Sequence, residues 1–244
     1  MSRTPEISSK DRMSNIPVSK CKCCGSTRLI FDQVLWAELI RAWNLSSEEA
    51  AYIDRQQGLH CGDCGSSLRS MALAKAIMSC FEYEGTFARF VRTFRAKRLR
   101  ILEVNEAGGL TQFFTKLRRH RLVSYPEHDM TSLCMKDRTF DLVVHSDTLE
   151  HVPNPVKGLS ECRRVLKAGG FCCYTVPIVI GRVTRSREGL TPSYHGSDKN
   201  CRGDYLVHTE YGCDFWQDVV RAGFRECRIV WAEHPAAHAV IGVA

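Results

Sequence analysis

The chain has 244 residues, 44% of them hydrophobic, with 13 cysteines and a formal net charge of +7. That length supports one substantial core with a small satellite and is short for two full domains. No apolar run approaches the roughly 18 residues of a membrane helix, and the first 20 residues hold no leader-like apolar stretch. These features exclude a membrane partner and predict a cytoplasmic protein whose oligomeric state stays open, and the odd cysteine count then favours reduced thiols and metal ligation over disulfides.

Residues 1–19 are polar and predict a disordered arm. Residues 20–82 read as a small metal-binding module. Cys21-Lys-Cys-Cys24-Gly25 and Cys61-Gly-Asp-Cys64-Gly65 are two Cys-x-x-Cys-Gly knuckles, each turning two thiolates toward one ion, with a glycine to permit the turn. Four sulfur ligands, Cys21, Cys24, Cys61 and Cys64, favour tetrahedral Zn2+ and leave no open position, so the predicted ion is structural. Between the knuckles lies a helical insert, with Val34 to Trp43 helical and Ser46 and Glu49 forming a capping box for a second helix. Ser67 to Phe81 follows as an amphipathic docking helix with Leu68, Met71, Ala72, Lys75, Ile77 and Met78 on its stripe.

Residues 83–244 alternate short apolar runs with helical patterns. Leu99 to Val104, Phe140 to His145, Phe171 to Val176 and Cys227 to Ala232 read as strands; Thr111 to His120, Pro155 to Lys167 and Asp214 to Ala222 read as helices. The alternation predicts an α/β, doubly wound, mostly parallel sheet covered on both faces. The basic stretches at Arg89 to Arg100 and Lys116 to Arg121 are read as solvated helix faces, so nucleic acid is not the expected partner. Gly181 to His208 is long and polar and reads as a lid over a binding site.

Ile101-Leu-Glu-Val104 runs into Asn105-Glu-Ala-Gly-Gly109, a strand entering a glycine turn that opens a helix, where an open α/β sheet binds nucleotide-like ligands. Downstream come Asp141-Leu-Val-Val-His-Ser-Asp-Thr-Leu-Glu-His-Val152 and Arg164-Val-Leu-Lys-Ala-Gly-Gly170. With these two motifs at this spacing, residues 99–232 resemble the class I S-adenosylmethionine-dependent methyltransferase superfamily, in its type 11-like branch. The knuckle Cys61-Gly-Asp-Cys-Gly-Ser-Ser-Leu-Arg69 also looks like those that precede this domain in some bacterial methyltransferases.

The resemblance implies a Rossmann-like fold and S-adenosyl-L-methionine as cofactor. Carried onto this chain, it makes Glu103, Asn105, Gly108, Gly109, Ser146, Asp147, Thr148 and Leu149 candidate cofactor contacts. Glu127 or Asp129 would serve the ribose or the adenine amine. Asn105, Glu106 and Ala107 replace part of the family's glycine run, and the short interval from Val104 to Asp141 implies an abbreviated strand and helix. A histidine near the methyl is the natural base, with His151 first and His195 and His208 next. Tyr194 and Tyr211 are candidate acceptor-pocket residues. The implied activity is methyl transfer to a small-molecule or glycan-like acceptor; the alternatives are a catalytically silent scaffold of the same fold and, behind it, a nucleic-acid methyltransferase.

Overall fold

The structure, a computed structural model, describes residues 20–194, 205–232 and 237–244. The expected arm over residues 1–19 and the candidate His195 lie outside the described residues.

The cysteine module is built from β1 (Leu29–Phe31), α1 (Ala37–Ala42), α2 (Ser47–Gly58) and β2 (Leu59–Cys61), with β1 antiparallel to β2. The capping box forms as expected: Glu49 N donates to Ser46 Oγ, and Ser46 N donates to Glu49 Oε2 at 2.8 Å. This satisfies donors that the first turn of α2 cannot pair within itself. α3 (Leu68–Cys80) follows, capped by Ser67. Eleven of its thirteen residues are buried, because it packs on three strands of the main sheet as well as on the module. The helix is thus shared between the two regions.

The rest of the chain runs through α4 (Phe87–Phe90), α5 (Phe94–Arg98), β3 (Ile101–Val104), α6 (Thr111–Phe114), β4 (His120–Val123), β5 (Phe140–Ser146), α7 (Pro155–Val165), β6 (Leu166–Thr175), β7 (Arg185–Ser186), β8 (Thr209–Glu210), α8 (Gln217–Arg221), β9 (Glu226–Ala232) and β10 (Ala237–Val243). The six-stranded sheet has the order β4-β3-β5-β6-β10-β9. β4, β3, β5 and β6 pair in parallel, while β10 is antiparallel to both β6 and β9. The result is the expected mixed, mostly parallel sheet.

Alternation along the strands divides the core between two faces. Ile101, Leu142, Val144 and Cys173 join α3 and the aromatic cluster of Phe87, Phe90 and Phe114 on one side. Leu102, Val143, Cys172 and Tyr174 meet Leu159 and Cys162 of α7 and Val219 of α8 on the other. Adjacent Cys172 and Cys173 therefore serve opposite layers, and no cysteine among the described residues forms a disulfide.

Several expected boundaries move. The helix expected over Thr111 to His120 stops at Phe114, and His120 instead begins edge strand β4, half exposed and polar, whose sequence lacks a buried-strand signal. α7 starts at Pro155 with Asn154 Oδ1 accepting from Lys157 N at 3.0 Å, but ends at Val165; the Gly169-Gly170 turn falls inside an irregular β6. β10, unanticipated, is rich in small residues: Gly242 lies under the Phe224 ring, where a Cβ would come within 2.8 Å of Cδ1. Between Val123 and Phe140 there is neither strand nor helix, which bears out the expected abbreviation. Among the described residues no helix is long and apolar enough to cross a membrane.

Candidate active site

The parallel strands β3 and β5 end side by side, and the chain turns away from both. Their carboxyl ends frame a cavity of about 460 Å³. Asn105 and Glu106 follow β3 on one wall, and Ser146 ends β5 with Asp147 and Thr148 after it on another. Tyr125, His128 and Asp129, from the connection after β4, form the third side. His151, Tyr205 and His208 close the far end.

Two of these residues adopt left-handed backbone conformations that L-amino acids rarely occupy: Asn105 with φ of 56° and Asp147 with φ of 49°. Each is held by neighbours. Asn105 N donates to the Val123 carbonyl at 2.7 Å, and its side-chain Oδ1 accepts from Tyr125 N at 3.1 Å. Asp147 N donates to the Thr175 carbonyl, while its carboxylate accepts from Arg69 Nη1 at 2.9 Å. Strain that the surroundings over-determine, at the mouth of a parallel sheet, is a mark of a functional site.

The other expected cofactor residues divide sharply. Glu103 is 0% exposed and does not reach the cavity; its carboxylate accepts from Ala107 N at 2.7 Å and Thr111 Oγ1 at 2.5 Å and pairs with His120 Nε2 at 2.5 Å. It braces the turn from beneath. Gly108 and Gly109 also stay off the cavity wall, and their absent side chains make room for the cysteine module. A Cβ on Gly108 would meet Ser70 Oγ at 3.0 Å, and one on Gly109 would meet the Ser66 Oγ at 2.6 Å and its Cα at 2.7 Å. Leu149 is core, and Glu127 is exposed outside the cavity. Asp129 lines it, with Oδ1 accepting from Thr131 N and Oγ1. Tyr194 and Tyr211 also stand apart; the Tyr211 hydroxyl is buried and donates to Asp218 Oδ2 at 3.2 Å.

Tyr125, His128 and Tyr205 were not legible as site residues, since each sits in a connection whose path no periodicity reveals. Arg69 was also missed, although the knuckle motif ends on it. His151 and His208 do reach the cavity. His151 Nδ1 donates to the Leu206 carbonyl at 3.1 Å, so Nε2, 3.7 Å from Glu150 Oε1, carries the lone pair in the neutral ring. Burial, and then the charge of Asp147, push the Glu150 carboxyl well above its ordinary range.

The four knuckle cysteines converge as their spacing predicts, with all four Sγ atoms within 4.8 Å of one another. Cys21 to Cys64 is 3.7 Å and Cys24 to Cys61 is 3.5 Å. A tetrahedral ion with sulfur bonds of ~2.3 Å has sulfur–sulfur edges of ~3.8 Å, so the donor set fits such an ion. The two loops repeat one pattern: Gly25 N donates to the Cys21 carbonyl and Gly65 N to the Cys61 carbonyl, both at 2.8 Å, with both glycines at positive φ.

Residues 85–174 match the family described as Methyltransferase domain. Among solved structures, the chain is 17% identical to a protein from Thermotoga maritima described as an S-adenosylmethionine-dependent methyltransferase, possible histamine N-methyltransferase; the match covers 86% of this chain and 99% of that one, with a TM-score of 0.42. A methyltransferase from Aquifex aeolicus is 13% identical over 59% of this chain and 81% of its own, with a TM-score of 0.39. No curated protein matches.

Proposed function

From the match of residues 85–174 to the family described as Methyltransferase domain, we propose that this chain is an S-adenosylmethionine-dependent methyltransferase of the class I superfamily that transfers a methyl group to a small-molecule or glycan-like acceptor in the cytoplasm. The observation that carries this reading is the cavity framed by Asn105 and Asp147, the strained residues at the ends of adjacent parallel strands. Its volume suits a ligand of nucleoside size. When bound, the cofactor supplies an electrophilic methyl: the acceptor's lone pair forms the new bond as the carbon–sulfur bond breaks, and that bond's electron pair stays on sulfur.

The protein's part is to align the two molecules and keep water away. Asn105, Ser146, Asp147 and Thr148 would hold the amino-acid end and sugar from the strand ends, with Asp129 and Tyr125 toward the base. His151 Nε2 would take the acceptor's proton, and His208, whose backbone N donates to the Glu150 carbonyl at 2.8 Å, stands next to it as the second base. Zn2+ on Cys21, Cys24, Cys61 and Cys64 would be structural, since four thiolates fill its coordination shell.

The test is calorimetric titration of the zinc-loaded chain with S-adenosylmethionine and S-adenosylhomocysteine. Saturable one-to-one binding of both is expected. No binding of either would transfer the reading to a silent scaffold, the alternative favoured by Asn105, Glu106 and Ala107 standing where the family has glycines.

A further inference from the structure

Beside the cavity just described lies a second one, of about 390 Å³, and the two share Asp147, His151 and Tyr205 as lining. Its origin differs. Much of its wall comes from the helical insert of the cysteine module: Val34, Leu35, Trp36, Leu39 and Ile53, which are apolar, and Gln57, which is not. Its floor is ionic, made by Arg69, Asp147 and Glu150.

The insert is fixed over this space. Asp54 Oδ1 accepts from Val34 N at 2.9 Å and from Leu35 N at 2.7 Å, setting the chain that carries Trp36. Arg182 donates to both carboxylate oxygens of Glu49 at 2.6 Å, which ties α2 to the loop after β6. Trp43 Nε1 donates to Ser193 Oγ at 2.8 Å. The Arg182 and Trp43 bonds join residues more than 130 positions apart in sequence, so the wall is a built part of the crevice.

Glu150 supplies the second, independent observation. It is 1% exposed, and neither carboxylate oxygen has a hydrogen-bond partner. A buried carboxyl with no hydrogen bond destabilises a fold, and its persistence at the floor of this cavity calls for a ligand that completes it.

Resting on the methyl-transfer reading, we propose that this second cavity is the acceptor pocket. It takes a small, flat, largely apolar aryl compound carrying one hydroxyl or amino group, with the ring against Trp36, Leu39 and Ile53 and the polar group hydrogen-bonded to the Glu150 carboxyl. A glycan would set most of its hydroxyls against apolar side chains that cannot pair them. The acceptor's polar atom would then lie at the seam between the cavities, beside His151, where the transferred methyl must arrive.

The experiment uses 2-naphthol as the probe, titrated into the zinc-loaded full chain with saturating S-adenosylhomocysteine to fill the first cavity. Binding is followed by calorimetry, with naphthalene and methyl α-glucopyranoside as comparison probes. The expected result is 2-naphthol binding at least about tenfold tighter than either. Trp36→Ala should weaken it by about tenfold and leave S-adenosylhomocysteine affinity unchanged. Glu150→Met should erase the preference for 2-naphthol over naphthalene while raising the melting temperature, since it removes an unpaired buried carboxyl.

Equal binding of 2-naphthol and naphthalene, indifference to Trp36→Ala, or tighter binding of the glucoside would each overturn the proposal. If S-adenosylhomocysteine itself fails to bind, the methyl-transfer reading falls, and the proposal of an acceptor pocket falls with it. If it binds while 2-naphthol does not, the acceptor inference alone falls.

Discussion

The turn after β3 and the turn after β5 occupy equivalent places at the mouth of the sheet, yet they are held open by opposite means. After β3 the chain is held by what is missing: Gly108 and Gly109 have no side chains, and Ser70 and Ser66 pack into that space. After β5 it is held by charge, with Asp147 kept in a left-handed conformation beneath the Arg69 guanidinium. Both supports come from one short segment, Ser66 to Ser70, which begins two residues after the last knuckle cysteine. The two halves of the cavity therefore depend on the cysteine module, one through close packing and the other through an ion pair.

That shared dependence can be broken most severely at the metal. Cys61→Ser, or prolonged chelation, is expected to cost several kcal/mol of stability and to abolish S-adenosylhomocysteine binding, because Ser66 to Ser70 lose their anchor. Thermal unfolding followed with zinc release checks this; an unchanged melting temperature after complete zinc removal would contradict it. A subtler break is Gly109→Val, where the new side chain would collide with Ser66 backbone. A loss of about 1–3 kcal/mol in denaturant unfolding is expected, together with weaker binding.

Arg69→Ala attacks the charged turn and leaves the glycine turn intact. It should lower S-adenosylhomocysteine affinity by roughly ten- to a hundredfold, as expected when one partner of a partly buried pair is removed, with Arg69→Lys restoring part of it. If Gly109→Val and Arg69→Ala gave the same pattern of lost stability and lost binding, the contrast between the turns would collapse. The smallest effect is expected at the rim: Tyr125→Ala, at a half-exposed position, should reduce affinity a few-fold and leave melting unchanged.

Acid sensitivity should come from the strand rather than from either turn. His145 on β5 is 0% exposed and stacks on Tyr174 with ring centroids 4.7 Å apart; burial pushes its pKa down to about 3. The unfolded chain binds a proton there below pH ~6.5 and the folded chain does not until about pH 3. Stability on this account is full above pH ~6.5 and falls by about 1.4 kcal/mol per pH unit beneath it. Urea unfolding at pH 7.5, 6 and 5 measures the slope, and His145→Phe should flatten it.

Residue types at short spacing determined a good deal by themselves. The two knuckles, the Ser46 and Glu49 capping box, the Asn154-Pro155 helix start and the apolar runs of β3 and β5 all depend on neighbours within a few positions, so local chemistry specifies them. The methyltransferase motifs were legible for the same reason, being contiguous strand-turn-helix segments. Tertiary structure decided the rest. β4 and β10 owe their strand form to partners elsewhere in the sheet, and Gly242 is a strand residue because Phe224 covers it. Glu103, Gly108 and Gly109 have the composition of cofactor contacts, and only the tertiary structure shows Glu103 bracing the turn from beneath and the two glycines making room for the cysteine module. The adjoining of an apolar insert, Arg69 and an unpartnered Glu150 brings together residues up to 116 positions apart (Val34 to Glu150), and no local pattern encodes contacts made across that length of chain.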